Sequence, residues 1–314
     1  MSGASLDLLL TRNLRAGTIT ELFDAFIFDD VEFTLAGMGA VARASSLLNK
    51  VRGALGEVLL DSASGARRAR SSCTWTQTSA AEVFFGKRPL ARLGSHDSEL
   101  AKPFLLSARA SEAHELIITL RVFGLARDRT SALVEAMARA LTKVRWADLA
   151  RDGNWVLPTP IVLADVRCLI ARRLECLNFA AHSAVLTFLS KPDADRADIA
   201  ERHKSLAERL ARRLALMAPW FGLAADKVYD SVAGALATTS IETLDYLPTD
   251  IEKGGHKMRN QLSAAPSFAI SNLSPDVVKV LAIAEKSHIG RGANIGLGRF
   301  RLEILDLEDS KFPG

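Results

Sequence analysis

Glu115-Leu116-Ile117-Ile118-Thr119-Leu120-Arg121-Val122-Phe123 is the most strand-like run in the 314-residue chain. Its β-branched and aromatic residues favour a pleated, half-buried surface. Upstream, Val31-Glu32-Phe33-Thr34-Leu35 alternates as another strand, and a loop with Gly37 and Gly39 leads into an apolar-periodic helix over residues 45–60. Residues 74–85 and 104–107 read as extended. Downstream, residues 130–144 place Leu133, Ala136, Met137, Ala140 and Leu141 on one helical face, and residues 155–163 return to extended character. From residue 31 the order is β-α-β-β-α-β, that of a ferredoxin-like unit.

Beyond this unit the pattern changes. Residues 167–189 and 195–217 carry long helical patterns separated by Lys191-Pro192-Asp193, and a third helix is expected over residues 224–237. The 195–217 helix has Ile199, Leu206, Leu210 and Leu214 on an inward stripe, with Arg196, Arg202, Lys204, Arg209, Arg212 and Arg213 around it. Such a face is either an ordinary solvated surface or a basic surface for nucleic acid. The chain then resumes as a short extended run (267–273), a helix (275–285) with Ser274 as N-cap, and a strand (299–305). The expectation is an α+β chain in two halves, 1–160 and 161–314, with a helical insertion over about 165–247 in the second.

With 48% hydrophobic and 24% charged residues the composition is globular and can bury a core. Lys and Arg outnumber Asp and Glu by only 40 to 36, but the arginines are bunched, at 67–70, 172–173, 212–213 and 291–301. Bunched cations suit a phosphate-rich partner. Cys73, Cys168 and Cys176 form no CxxC pair, so neither a zinc knuckle nor an even disulfide framework is indicated, which fits a reducing cytoplasm. No metal or other cofactor is expected, and no segment has the length and apolarity of a membrane span or signal peptide.

The segment His288-Ile289-Gly290-Arg291-Gly292-Ala293-Asn294-Ile295-Gly296-Leu297-Gly298-Arg299-Phe300-Arg301 places four glycines in nine positions. Glycines let a backbone approach a ligand without a Cβ in the way, and Arg291, Arg299 and Arg301 add charge, so phosphate is the natural ligand. The bland alternative is a structural glycine turn. A dinucleotide fingerprint is excluded, because this loop follows a helix and precedes a strand.

The segment resembles the C-terminal signature of the RAMP superfamily of CRISPR-associated proteins, in particular the Cas-six family of CRISPR RNA-processing endoribonucleases. Val51-Arg52-Gly53-Ala54-Leu55-Gly56-Glu57-Val58-Leu59 looks like that family's first-helix motif. Cys73 to Phe85, Arg88-Pro89 and Pro103-Phe104 are similar to the segment that follows it. The arginine-rich helical part is similar to type IV system members.

The resemblance implies two tandem ferredoxin-like folds that bind the repeat hairpin of precursor CRISPR RNA, cut at its 3′ base without metal, and work with other CRISPR-associated proteins of an effector complex. The ribose 2′-hydroxyl would attack the adjacent phosphorus, which needs in-line geometry, a base, an acid and cations for the phosphorane. The family often has a histidine after the first strand or early in the first helix, and residues 31–60 contain none. The catalytic candidates are therefore Arg43, Arg52, His256 and His288. The RNA-binding candidates are Lys50, Arg209, Arg212, Arg213, Gly290, Arg291, Gly292, Gly296, Gly298, Arg299 and Arg301. Arginine orients and stabilises phosphate but is a poor proton acceptor. A non-cleaving subunit that holds the CRISPR RNA end is thus a second expectation, and an unrelated α/β enzyme with a nucleotide-phosphate loop a third.

Overall fold

The computed structural model describes residues 4–12, 14–61, 74–175, 181–189, 199–247, 265–289 and 299–305. Two short helices, α1 (Leu6–Thr11) and α2 (Ile19–Ala25), precede β1 (Ile27–Leu35). A 3-10 turn (Gly39–Arg43) leads to α3 (Leu47–Asp61), and α4 (Ala80–Phe85) is followed by the hairpin β2 (Leu90–Leu93) and β3 (His96–Glu99). The unit continues through β4 (Phe104–Ala110), β5 (Leu116–Phe123), α5 (Thr130–Lys143), α6 (Trp146–Gly153) and β6 (Leu163–Arg173). Its sheet order is β4-β5-β1-β6, antiparallel throughout. That is the ferredoxin-like order, with the first and third strands central. Alternation along the strands sends Val31, Phe33, Ile118, Leu120 and Val122 to one face, where α3 and α5 cover them with Val51, Leu55, Leu133 and Met137.

The same order recurs. β7 (Ser183–Phe188), α7 (Ile199–Met217), α8 (Ala225–Ala237), β8 (Ser240–Leu247), β9 (Ala265–Ser271), α9 (Pro275–Ser287) and β10 (Phe300–Leu305) form a second unit with sheet order β10-β7-β9-β8. The chain is α+β, with two tandem ferredoxin-like units. Leu186, Phe188, Phe268, Ile270 and Phe300 pack under Leu210, Leu214, Val277 and Leu281. This core also takes in Phe28, Leu105 and Phe123, from the face of the first sheet opposite α3 and α5, so the two units are packed together.

Several expectations are corrected. Residues 74–85 are not extended: a 3-10 turn (Trp75–Gln77) and α4 occupy them, each opened by a capping box, Thr74 with Gln77 and Ser79 with Glu82. The helix expected over 167–189 is replaced by β6 and β7. In this stretch the apolar spacing suits both periods, and pairing with β1 and β9 selects the strand. The fourth strand of the first unit is therefore β6 and not residues 155–163, and that unit runs past residue 160 to Arg173. The helical block is likewise no insertion from residue 165. α7 and α8 together fill the place of the first helix of the second unit.

Ser274 caps α9 as expected, its Oγ accepting from Val277 N at 3.3 Å ahead of Pro275 and Asp276 in the first turn. Ser274→Ala should lower the unfolding free energy by about 1 kcal/mol in a urea titration. No helix among the described residues is long and apolar enough to cross a membrane.

Candidate nucleic-acid interface

The glycine-rich segment leaves from the C-terminal end of α9, and that end is held by arginines of both units. Arg121 of β5 donates from Nη1 to Lys286 O at 2.8 Å. Arg213 of α7 donates to Ser287 O at 2.8 and 3.1 Å and to His288 O at 3.1 Å. Three consecutive carbonyls at the negative end of a helix thus receive guanidinium donors. Burial pushes the Arg213 guanidinium down to about 10, so it still carries its charge at neutral pH. The bonds fix His288 at φ 53°, ψ 161°, a conformation that side chains other than glycine rarely adopt.

Arg121 is itself anchored. Its Nε and Nη2 grip Asp30 at 2.6 and 2.8 Å, Arg172 reaches the same carboxylate at 3.3 Å, and both guanidiniums lie over the Phe28 ring at 4.5 and 5.7 Å. Asp30 is only 3% exposed. Its neighbour Asp29 accepts from Arg127 Nε (2.7 Å), Thr130 Oγ1 (2.7 Å) and Ala171 N (2.8 Å), tying β1 to α5 and β6. Arg121 and Arg172 share the single carboxylate of Asp30, and Arg213 has only carbonyl partners among the described residues, so positive charge exceeds negative where these three side chains meet the root of the glycine segment.

Register places Glu32, Ser107, Arg109, Thr119 and Arg167 on the same sheet face as Arg121, and α3 and α5 lie on the other. Arg109 pairs loosely with Glu32 at 3.4 Å, while Arg167 is exposed. Arg121 was not among the sequence candidates. Its signal was a lone charge inside the most apolar strand of the chain, where an unpaired guanidinium would be costly.

The sequence candidates are scattered. Arg43 ends the 3-10 turn after β1, exposed and without a hydrogen bond or ion pair among the described residues. Lys50 sits 3.8 Å from Asp148. Arg52 is half-buried over the Phe85 ring at 5.5 Å, and its Nε finds no hydrogen-bond partner. Nearby, Lys102 donates to Gly86 O and to Glu99 at 3.2 Å, and burial, with Arg88 and Arg52 alongside, pulls its ammonium below the ordinary lysine value. Arg212 joins this region from the second unit through Ser98 Oγ at 2.6 Å and is 3.6 Å from Glu208.

Arg213 was expected to bind RNA, but its guanidinium is spent on the α9 carbonyls. His288, at 4% exposure, is buried under the same contact. Arg209 is half-buried, Arg301 is exposed on β10, and Arg299 begins the approach to that strand. His256, Gly290, Arg291, Gly292, Gly296 and Gly298 lie outside the described residues. A cavity of about 810 Å³ between α5, α6 and the approach to β6, lined by Trp146, Trp155, Leu157 and Ile161, holds none of the candidates.

No protein-family model matches the chain, and no curated protein does. Among solved structures it is similar to Cse3 of Thermus thermophilus bound to an RNA representing a pre-cleavage complex. The identity is 12% and the TM-score 0.30, over 88% of this chain and 100% of that one.

Proposed function

We propose that the protein binds the repeat hairpin of precursor CRISPR RNA, cuts it at the 3′ base without a metal, and keeps the product bound. One observation carries this: a glycine- and arginine-rich segment is rooted where Arg121 and Arg213, from two ferredoxin-like units, converge on the end of α9. Glycines, which carry no Cβ, following in sequence directly after a point held by two guanidiniums suit a phosphodiester. Arg291, Arg299, Arg301 and the segment glycines would grip the backbone, and Arg209 and Arg212 would extend the basic surface. Arg43 and Arg52 would stabilise the phosphorane. His256 and Lys102 are the candidates for the proton transfers, His288 being buried under Arg213, and Lys102 qualifies because its ammonium gives up a proton more readily than usual. Other CRISPR-associated proteins would share the bound product.

The absence of histidine from residues 31–60 favours a second function, holding the RNA end without cutting it. One assay separates the two. Incubated with its repeat RNA in excess chelator, the protein should produce fragments ending in a 2′,3′-cyclic phosphate, detected after denaturation. Intact RNA on tightly bound protein would establish the non-cleaving role, and equal binding of mononucleotides would remove both.

A further inference from the structure

Among the described residues β6 is the terminal strand of the first sheet, so one of its edges is hydrogen-bonded to β1 and the other has no strand beside it to take its N–H and C=O groups. It is also bare on both faces. Val166 is 36% and Ile170 69% exposed, and Val162, just before the strand, is 48% exposed. Asp165 and Arg167 are exposed too, and neither side chain has a hydrogen bond or ion pair among the described residues. A long, open, partly apolar edge is a template for another strand.

The order of side chains says which strand. Asp165-Val166-Arg167 carries opposite charges on either side of an apolar centre, within the 165–169 stretch that keeps an unbroken register with β1. Laid antiparallel against itself about a twofold axis at Val166, Asp165 faces the partner's Arg167 and Arg167 faces the partner's Asp165. Val166 then meets the partner's Val166 on the face opposite the charges. Centring on Arg167 would set that arginine against its own copy, and centring on Asp165 would do the same with carboxylates, so charge selects one register. We infer that β6 is a self-association edge, through which a second copy of this chain pairs antiparallel about Val166 and joins the two first sheets into one. The ladder is short, with irregularities at both ends of the 165–169 stretch, so the dimer is weak and concentration-dependent.

The test uses the full chain without RNA, so its outcome is independent of the RNA-binding proposal. In sedimentation equilibrium the average mass should climb toward twice the monomer as concentration rises. Asp165→Arg alone, or Arg167→Asp alone, sets like charges opposite each other twice per dimer and should weaken association by about tenfold or more. The double swap Asp165→Arg with Arg167→Asp restores both pairs and should restore association. Both positions are exposed, and circular dichroism with thermal melts checks that each variant folds. A mass that stays monomeric at every concentration overturns the inference and leaves the edge to a strand of some other protein. Single variants that associate like the wild type, or a double swap that fails to rescue, would place any dimer elsewhere on the molecule.

Discussion

Asp30→Ala should lower the unfolding free energy by about 3 kcal/mol, the cost of removing one partner from a buried charge cluster. The carboxylate is 3% exposed and takes two bonds from Arg121 and a third contact from Arg172. Without it, two guanidiniums stay packed over Phe28 with no counter-charge. The loss should reach the second unit as well, because Arg121 must be oriented by Asp30 to meet Lys286 O. RNA affinity should therefore fall along with stability. Arg109→Ala, which removes an exposed pair with Glu32, serves as the contrast and should cost less than about 0.5 kcal/mol. A urea titration of the two variants, with RNA binding measured under folding conditions, checks both statements. An Asp30→Ala protein as stable as wild type would mean that the cluster does not tie the units together.

Replacing the ribose 2′-hydroxyl at the cut site by hydrogen should abolish cleavage, by on the order of a thousandfold or more, while leaving binding nearly unchanged. The proposed step forms a bond from the 2′-oxygen to phosphorus and breaks the bond to the 5′-oxygen of the next nucleotide. The 2′ proton passes to a base, and the leaving oxygen takes one from an acid. With that nucleophile absent, no arrangement of Arg43, Arg52, His256 or Lys102 can produce the cyclic phosphate. In the proposed mode binding rests on phosphate contacts, which the substitution leaves in place. Single-turnover cleavage and filter binding of the substituted and native RNA measure the two effects separately, and continued cutting of the substituted RNA would rule out the mechanism.

Local chemistry made much of the fold legible. The apolar alternation of β5, the helical period of α5, and the Ser274 cap and proline that start α9 are properties of neighbouring residues. The glycine-rich segment too could be recognised by spacing alone, as could its place between a helix and the last strand. β6 was not legible, because an edge strand bare on both faces has no buried side to impose alternation, and its leucine and isoleucine spacing suits a helix equally well. It is a strand because β1 offers it hydrogen bonds. The candidate site divides in the same way. Composition and clustering pointed to arginines and to phosphate, yet which arginine is left free for a ligand and which holds the protein together depends on contacts between residues far apart in the chain. Asp30 and Arg121 are 91 positions apart, and Arg121 and Lys286 are 165 apart. No local pattern separates Arg212 from Arg213, adjacent on one helix. Only the packing of α7 against the end of α9 turns Arg213 onto the Ser287 and His288 carbonyls. The sequence alone determined the kinds of groups present and the order of most elements, through short-range sterics and periodicity; the tertiary structure decided their partners, because burial makes an unpaired charge too costly to leave alone.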